Sequence, residues 1–180
     1  MKPDWNHIID ADWALMLDRD GVINRRVVGG YVTRWEDFEF LPGVIEAIGK
    51  FAQRFNFIFI VTNQQCVSKG LITLEHLDEI HDRMCEEIER QGGRIDGVFV
   101  CTQLATEPGN FRKPHPQMAF TAKSLHPDLD LTKCIMVGDS DSDVEFGHNA
   151  GTRTIFIGPE HPTADDSFDS LYAFSQLLTP

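Results

Sequence analysis

Asp18 and Asp20 stand two residues apart, directly behind the apolar run Ala14-Leu15-Met16-Leu17. Three further stretches place reactive groups in the same way. Thr62 follows Phe57-Ile58-Phe59-Ile60-Val61 and leads into Asn63 and Gln64. Arg112-Lys113-Pro114 adds two cations, and Asp139 and Asp143 follow Cys134-Ile135-Met136-Val137. Carboxylates suit a hard divalent cation such as Mg²⁺, which takes oxygen ligands. A hydroxyl and a lysine suit the oxygens of a phosphoryl group. The set therefore points to metal-assisted chemistry at phosphorus.

These groups need a frame that brings them together. The apolar runs predict strands over 14–17, 57–61, about 97–101, 134–137 and 154–157, with helical patterns between them. Pro42-Gly43 opens a helix through about Phe55, with Val44, Ile45, Ile48 and Phe51 on one stripe. Thr73 caps a helix to about Gln91, striped by Leu77, Ile80, Met84 and Ile88. Further helices are expected over about 116–125 and 141–150, and residues 166–178 read as a short surface helix. Alternating strands and helices predict one α/β domain over 1–180, with a parallel sheet of about five strands covered on both faces. Ligands of such sheets sit outside the carboxyl ends of the strands. Three of the four stretches fall there, and the fourth lies in the loop after the third strand.

In this order, DRDGVIN, VTNQ, RKP and GDSDSD resemble the haloacid-dehalogenase superfamily of phosphohydrolases over about residues 14–158. The longer words DRDGVIN…GGYV…FEFLPGVIEAI, TNQ…KGLIT, RKPHP and VGDSDSD are similar to its heptose 1,7-bisphosphate and histidinol-phosphate phosphatases. The resemblance implies a three-layer Rossmann-like fold. The segments 21–40, 63–73 and 102–114 are too short for a large cap domain. It also implies a Mg²⁺-dependent phosphomonoesterase acting on a small phosphate ester. A heptose bisphosphate is the first expectation, histidinol phosphate or another sugar phosphate the second. Asp18 and Asp139 would hold the metal with the backbone carbonyl of Asp20. Asp18 would attack phosphorus, forming an aspartyl phosphate, and Asp20 would serve as acid and then base. Thr62 and Lys113 would stabilise the transferring group. Asn63, Gln64 and Arg112 would meet the substrate, and Asp143 would orient Lys113 or a metal-bound water. Many relatives carry a zinc loop before RKP. Here residues 101–111 hold one cysteine and no histidine, too few ligands for tetrahedral zinc, so no zinc is expected. Gln65-Cys66 stands where the branch has a small residue and glycine.

Other readings compete. A receiver-type signalling module also gathers acids, a hydroxyl and a lysine at strand ends, but its phosphoacceptor follows a later strand. A catalytically dead relative would also keep the fold. Asp141 suits the N-terminus of the helix after it, and residues 139–143 lack the glycine and distant glutamate of a calcium loop. Trp35, Phe38 and Phe40 read as anchors of the excursion, and Cys66 as an inert filler. The seven histidines form no ligand pair. A net charge of −12 argues against nucleic acid and anionic membranes, and it disfavours phosphate esters unless local cations reverse the field. The four cysteines form no C-x-x-C pair, and no apolar run nears the roughly 20 residues of a membrane span. The N-terminus has no apolar signal region. A cytoplasmic monomer is expected.

Overall fold

The computed structural model describes residues 2–178. The strands are β1 (Ala14–Leu17), β2 (Phe57–Asn63), β3 (Gly97–Cys101), β4 (Cys134–Gly138), β5 (Arg153–Ile157) and β6 (Asp166–Phe168). The helices are α1 (Trp5–Ile8), α2 (Val44–Arg54), α3 (Leu74–Arg90), α4 (Gln117–Leu125), α5 (Asp141–Ala150) and α6 (Leu171–Ser175). All strand pairs are parallel, in the order β3-β2-β1-β4-β5-β6. The chain thus winds outward from β1 to β3, then restarts at β4 on the other side of β1. That switch point is where ligands of such sheets bind.

Alternation along the strands divides the core into two layers. Leu15, Leu17, Ile58, Ile60, Ile135 and Val137 face the apolar stripes of α2, α3 and α6. Ala14, Met16, Phe59, Val61, Cys134 and Met136 face α4 and α5. The caps follow local chemistry. The Thr73 hydroxyl accepts from His76 N at 3.2 Å. The Ser140 and Asp143 side chains form a capping box at the start of α5. No helix among the described residues is long and apolar enough to cross a membrane.

The excursion at 21–40 folds back on itself as a flap. Arg25 N donates to Glu39 O (2.8 Å) and Leu41 N to Ile23 O (2.9 Å). Trp35 stacks on Phe38 with ring centroids 5.0 Å apart, and Phe40 meets Phe38 edge-on at the same distance. These rings anchor the flap to the core.

Three expectations need correction. The sheet has six strands rather than about five. β2 runs on to Asn63, so Thr62 and Asn63 lie on the strand and not behind it. The segment at 166–178 is not a surface helix. Asp166–Phe168 forms the sixth strand, and α6 buries Leu171 and Phe174. Phe174 lies between Phe51 and Phe168, each 5.4 Å away by ring centroid, and meets Trp5 at 6.4 Å. Phe174→Ala should therefore destabilise the fold by about 3–5 kcal/mol, as for other buried aromatics. Urea unfolding checks this, and a loss under about 0.5 kcal/mol would restore the surface reading.

Candidate active site

β1, β2 and β4 end side by side, and their last residues meet. Lys113 enters from the loop after β3 and is 5% exposed. Its ammonium lies 2.7 Å from Asp18 Oδ1, 2.6 Å from Asp143 Oδ1 and 2.9 Å from the Val61 carbonyl. The contacts with Asp18 and Val61 are hydrogen bonds, and that with Asp143 is an ion pair. Burial alone would lower the Lys113 pKa, but Asp143 and Asp18 outweigh it and raise it. The Asn63 amide fixes the lysine backbone, accepting from Lys113 N at 3.0 Å and donating to Lys113 O at 3.3 Å.

Asp143 commits Oδ1 to Lys113 and Oδ2 to the start of α5. Oδ2 accepts from Ser140 Oγ (2.6 Å), Ser140 N (3.1 Å) and Asp139 N (3.2 Å). The same carboxylate therefore caps a helix and orients the lysine. Close packing allows this gathering. A β-carbon on Gly21, whose φ is +96°, would lie 1.9 Å from Asp139 Oδ2, so only glycine lets the turn after β1 approach β4.

Asp18, Asp139 and Asp143 offer carboxylate oxygens within 4.8 Å of one another. Burial pushes Asp18 up to about 7 against the pull of Lys113, and Asp139 up to about 6 against that of Arg26. Desolvated carboxylates crowded in this way favour a cation. The molecule itself sets one there. Arg26 Nη2 donates to Asp139 Oδ1 (2.6 Å) and to the Asp20 carbonyl (3.2 Å). The all-oxygen donor set of Asp18, Asp139 and Asp143 fits a hard divalent metal.

Asp20 sits among donors. Arg19 Nη2 reaches Oδ1 (3.0 Å) and Oδ2 (2.9 Å), Asn24 Nδ2 reaches Oδ1 (3.0 Å), and Gln64 Nε2 reaches Oδ2 (2.7 Å). Burial pushes its carboxyl up, but the Arg19 charge and the hydrogen bonds from Asn24, Arg19 and Gln64 win and hold it below the usual range. In this arrangement Asp20 is a carboxylate. Thr62 is buried, and its oxygen accepts from Gln64 Nε2 at 2.9 Å, which leaves the hydroxyl hydrogen for another acceptor.

A cavity of about 520 Å³ opens over these groups, within the roughly 300–1,000 Å³ usual for small-molecule sites. Asp18, Asp20, Thr62, Asn63, Arg112, Lys113 and Asp143 line it. So do Arg26, Tyr31 and Lys69, which sequence reasoning did not select. Lys69 Nζ donates to the Tyr31 hydroxyl at 2.8 Å and lies over its ring. Lys69 had a signal in the word KGLIT and Tyr31 in the word GGYV, whereas nothing in the flap sequence marked Arg26. Gln64 is a correction. It does not face a substrate, being fully buried, with its amide bound to Asp20 and Thr62. Cys66 lies beneath it, fully buried, and burial raises its thiol pKa, which keeps it inert.

The HAD-hydrolase-like family model matches residues 110–168. The D-glycero-alpha-D-manno-heptose-1,7-bisphosphate 7-phosphatase of Mycobacterium tuberculosis is 40% identical over 170 residues, covering 91% of this chain and 90% of that protein. The chain belongs to the haloacid-dehalogenase superfamily, in its heptose-bisphosphate phosphatase branch. The Campylobacter jejuni enzyme of the same name is 35% identical, covering 92% of this chain and 93% of its own length. A crystal structure of D,D-heptose 1,7-bisphosphate phosphatase from B. bronchiseptica, complexed with magnesium and phosphate, superposes with a TM-score of 0.82 at 27% identity. It covers 91% of this chain and 96% of that one.

One buried group in this phosphatase fold gives a pH signature. His81 is 4% exposed, and burial together with the Arg19 charge lowers its pKa to about 3, against the pull of Asp20. The unfolded chain protonates this histidine near pH 6.5, whereas the folded one does not. Between those values the unfolded state binds the extra proton, so stability falls as pH falls. The contribution is flat above about pH 6.5 and amounts to about 2 kcal/mol lost between pH 7 and pH 5. His81→Gln, which does not titrate, should lack this part of the loss. Urea unfolding of both proteins at the two pH values checks it, and identical pH dependence would show His81 to be charged or solvated.

Proposed function

We propose that the chain is a Mg²⁺-dependent phosphomonoesterase that removes the 7-phosphate of D-glycero-D-manno-heptose 1,7-bisphosphate. The observation that carries the reading is the Lys113–Asp18 contact at 2.7 Å, beneath a cavity that also presents Arg26, Lys69 and Arg112. Lys113 is committed to Asp18 and Asp143. Arg26 is likewise paired with Asp139, so Lys69 and Arg112 are the cations left over, and a second phosphate accounts for them. They also disfavour histidinol phosphate, whose ammonium they would repel. The relatives named above supply the sugar.

In this reading Lys113 holds Asp18 Oδ1 and favours the ionised carboxylate against its burial. An Asp18 oxygen bonds to phosphorus, and the bond from phosphorus to the sugar oxygen breaks. Asp20 gives that oxygen its proton. A water then attacks the phosphorus of the aspartyl phosphate, Asp20 takes the proton, and Asp18 is freed with release of phosphate. Asp20 must be protonated for the first half. A phosphoryl dianion beside it opposes the pull of Arg19 and raises its pKa, so substrate binding favours the acid form. Thr62 donates its hydroxyl hydrogen to a phosphoryl oxygen. Mg²⁺, held by Asp18, Asp139 and the backbone carbonyl of Asp20, would supply positive charge that offsets the repulsion between the carboxylate and the phosphate ester.

The test is phosphate release with Mg²⁺ from both anomers of the heptose bisphosphate and from histidinol phosphate. A heptose bisphosphate should lead in kcat/KM by at least about tenfold, a gap of about 1.4 kcal/mol in transition-state binding. Preference for histidinol phosphate would overturn the substrate. Asp18→Asn should lower turnover more than about 10³-fold with the fold retained by circular dichroism. Turnover near the parent's would remove Asp18 as nucleophile.

A further inference from the structure

Arg19 lies between the two aspartates of the first motif and is 0% exposed. Burying a guanidinium costs several kcal/mol unless good partners meet it. An apolar side chain would fill the same space without that cost. The partners of Arg19 all lead toward the site. Nη2 grips both oxygens of Asp20, and Nη1 lies 2.9 Å from Nε2 of His81, which is 62 residues away on α3. A guanidinium only donates, so His81 Nε2 must accept. The imidazole is then neutral, in line with its lowered pKa, and its proton sits on Nδ1. A protonated His81 would present a donor to a donor and break the contact.

We infer that His81 and Arg19 are positioning residues: the imidazole fixes the guanidinium, and the guanidinium holds the Asp20 carboxylate in the orientation from which it moves protons. Asn24 and Gln64 complete the hold, so each Asp20 oxygen has two donors. Rotation of the carboxylate would break several charge-assisted bonds at once. The inference rests on the proposed role of Asp20 in proton transfer. It adds that this role depends on a histidine outside the cavity lining, reached only through a buried arginine.

The experiment separates positioning from general support of the fold. The full chain with Mg²⁺ is assayed on two esters. Heptose bisphosphate has an alkoxide leaving group that needs a proton. p-Nitrophenyl phosphate has a stabilised phenolate that leaves without one. His81→Leu removes the acceptor. It should lower kcat/KM on the bisphosphate roughly 10- to 100-fold, part of the roughly 10²–10⁴-fold value of general acid catalysis, and change the aryl ester less than about threefold. His81→Gln, which restores an acceptor at a similar reach, should recover the bisphosphate rate to within about threefold of the parent. Equal loss on both esters, or no loss on either, overturns the inference. Should His81→Leu fail to fold, Arg19→Lys keeps the charge and gives up the guanidinium's separate donors to Asp20 and His81, and the same split is expected. Asp20→Asn is the control. If it too affects both esters equally, the proton-transfer role of Asp20 fails; if it shows the split and the His81 variants do not, only the positioning role fails.

Discussion

One ammonium group holds the site together. Lys113 Nζ touches Asp18 at the end of β1, the Val61 carbonyl on β2, and Asp143 at the start of α5 behind β4. Without it, Asp18 and Asp143 would face each other as buried like charges. With it, three strand ends are pinned to one point. The rest of the local structure serves that point: Asn63 fixes the lysine backbone, Ser140 and Asp143 cap α5, and Gly21 admits Asp139. A buried ion pair of this kind adds little net stability, since desolvation cancels much of the attraction. Its worth here is orientation.

The same logic recurs around it. Arg19 serves Asp20 from below, and Arg26 serves Asp139 from the flap. The three cations come from the turn after β1, the flap and the loop after β3, so no single loop sets the field. This local reversal of sign is what a chain of net charge −12 needs before a phosphate ester can approach. Lys69 and Arg112 extend it to the cavity mouth.

Much of this was legible from the residues. β1 and β4 are unbroken apolar runs, because strands covered on both faces have no polar side to show. The motif acids then fall where such strands must end. β6 was missed because Asp166-Ser167-Phe168 is short, polar and at the sheet edge, with no apolar run to mark it. Gln64 was expected at the substrate with Asn63 and Arg112, but its amide turns inward to Asp20. His81 did carry a signal. It follows Leu77 by four positions and precedes Ile88 by seven, on the buried stripe of α3, so a polar group there had to find a partner. Which partner depended on Arg19, and only the packing of α3 beside the turn after β1 reveals that. Arg26 and Tyr31 belong to a flap whose path no periodicity dictates.

The central claim is that these charges make Asp18 a nucleophile toward phosphorus. It is tested most directly by rapid quench of the enzyme during turnover, reduction of any acyl phosphate with borohydride, and peptide mass spectrometry. The account predicts homoserine at position 18, and none without substrate. Homoserine at another aspartate, or unmodified Asp18 while phosphate is being released, would contradict it.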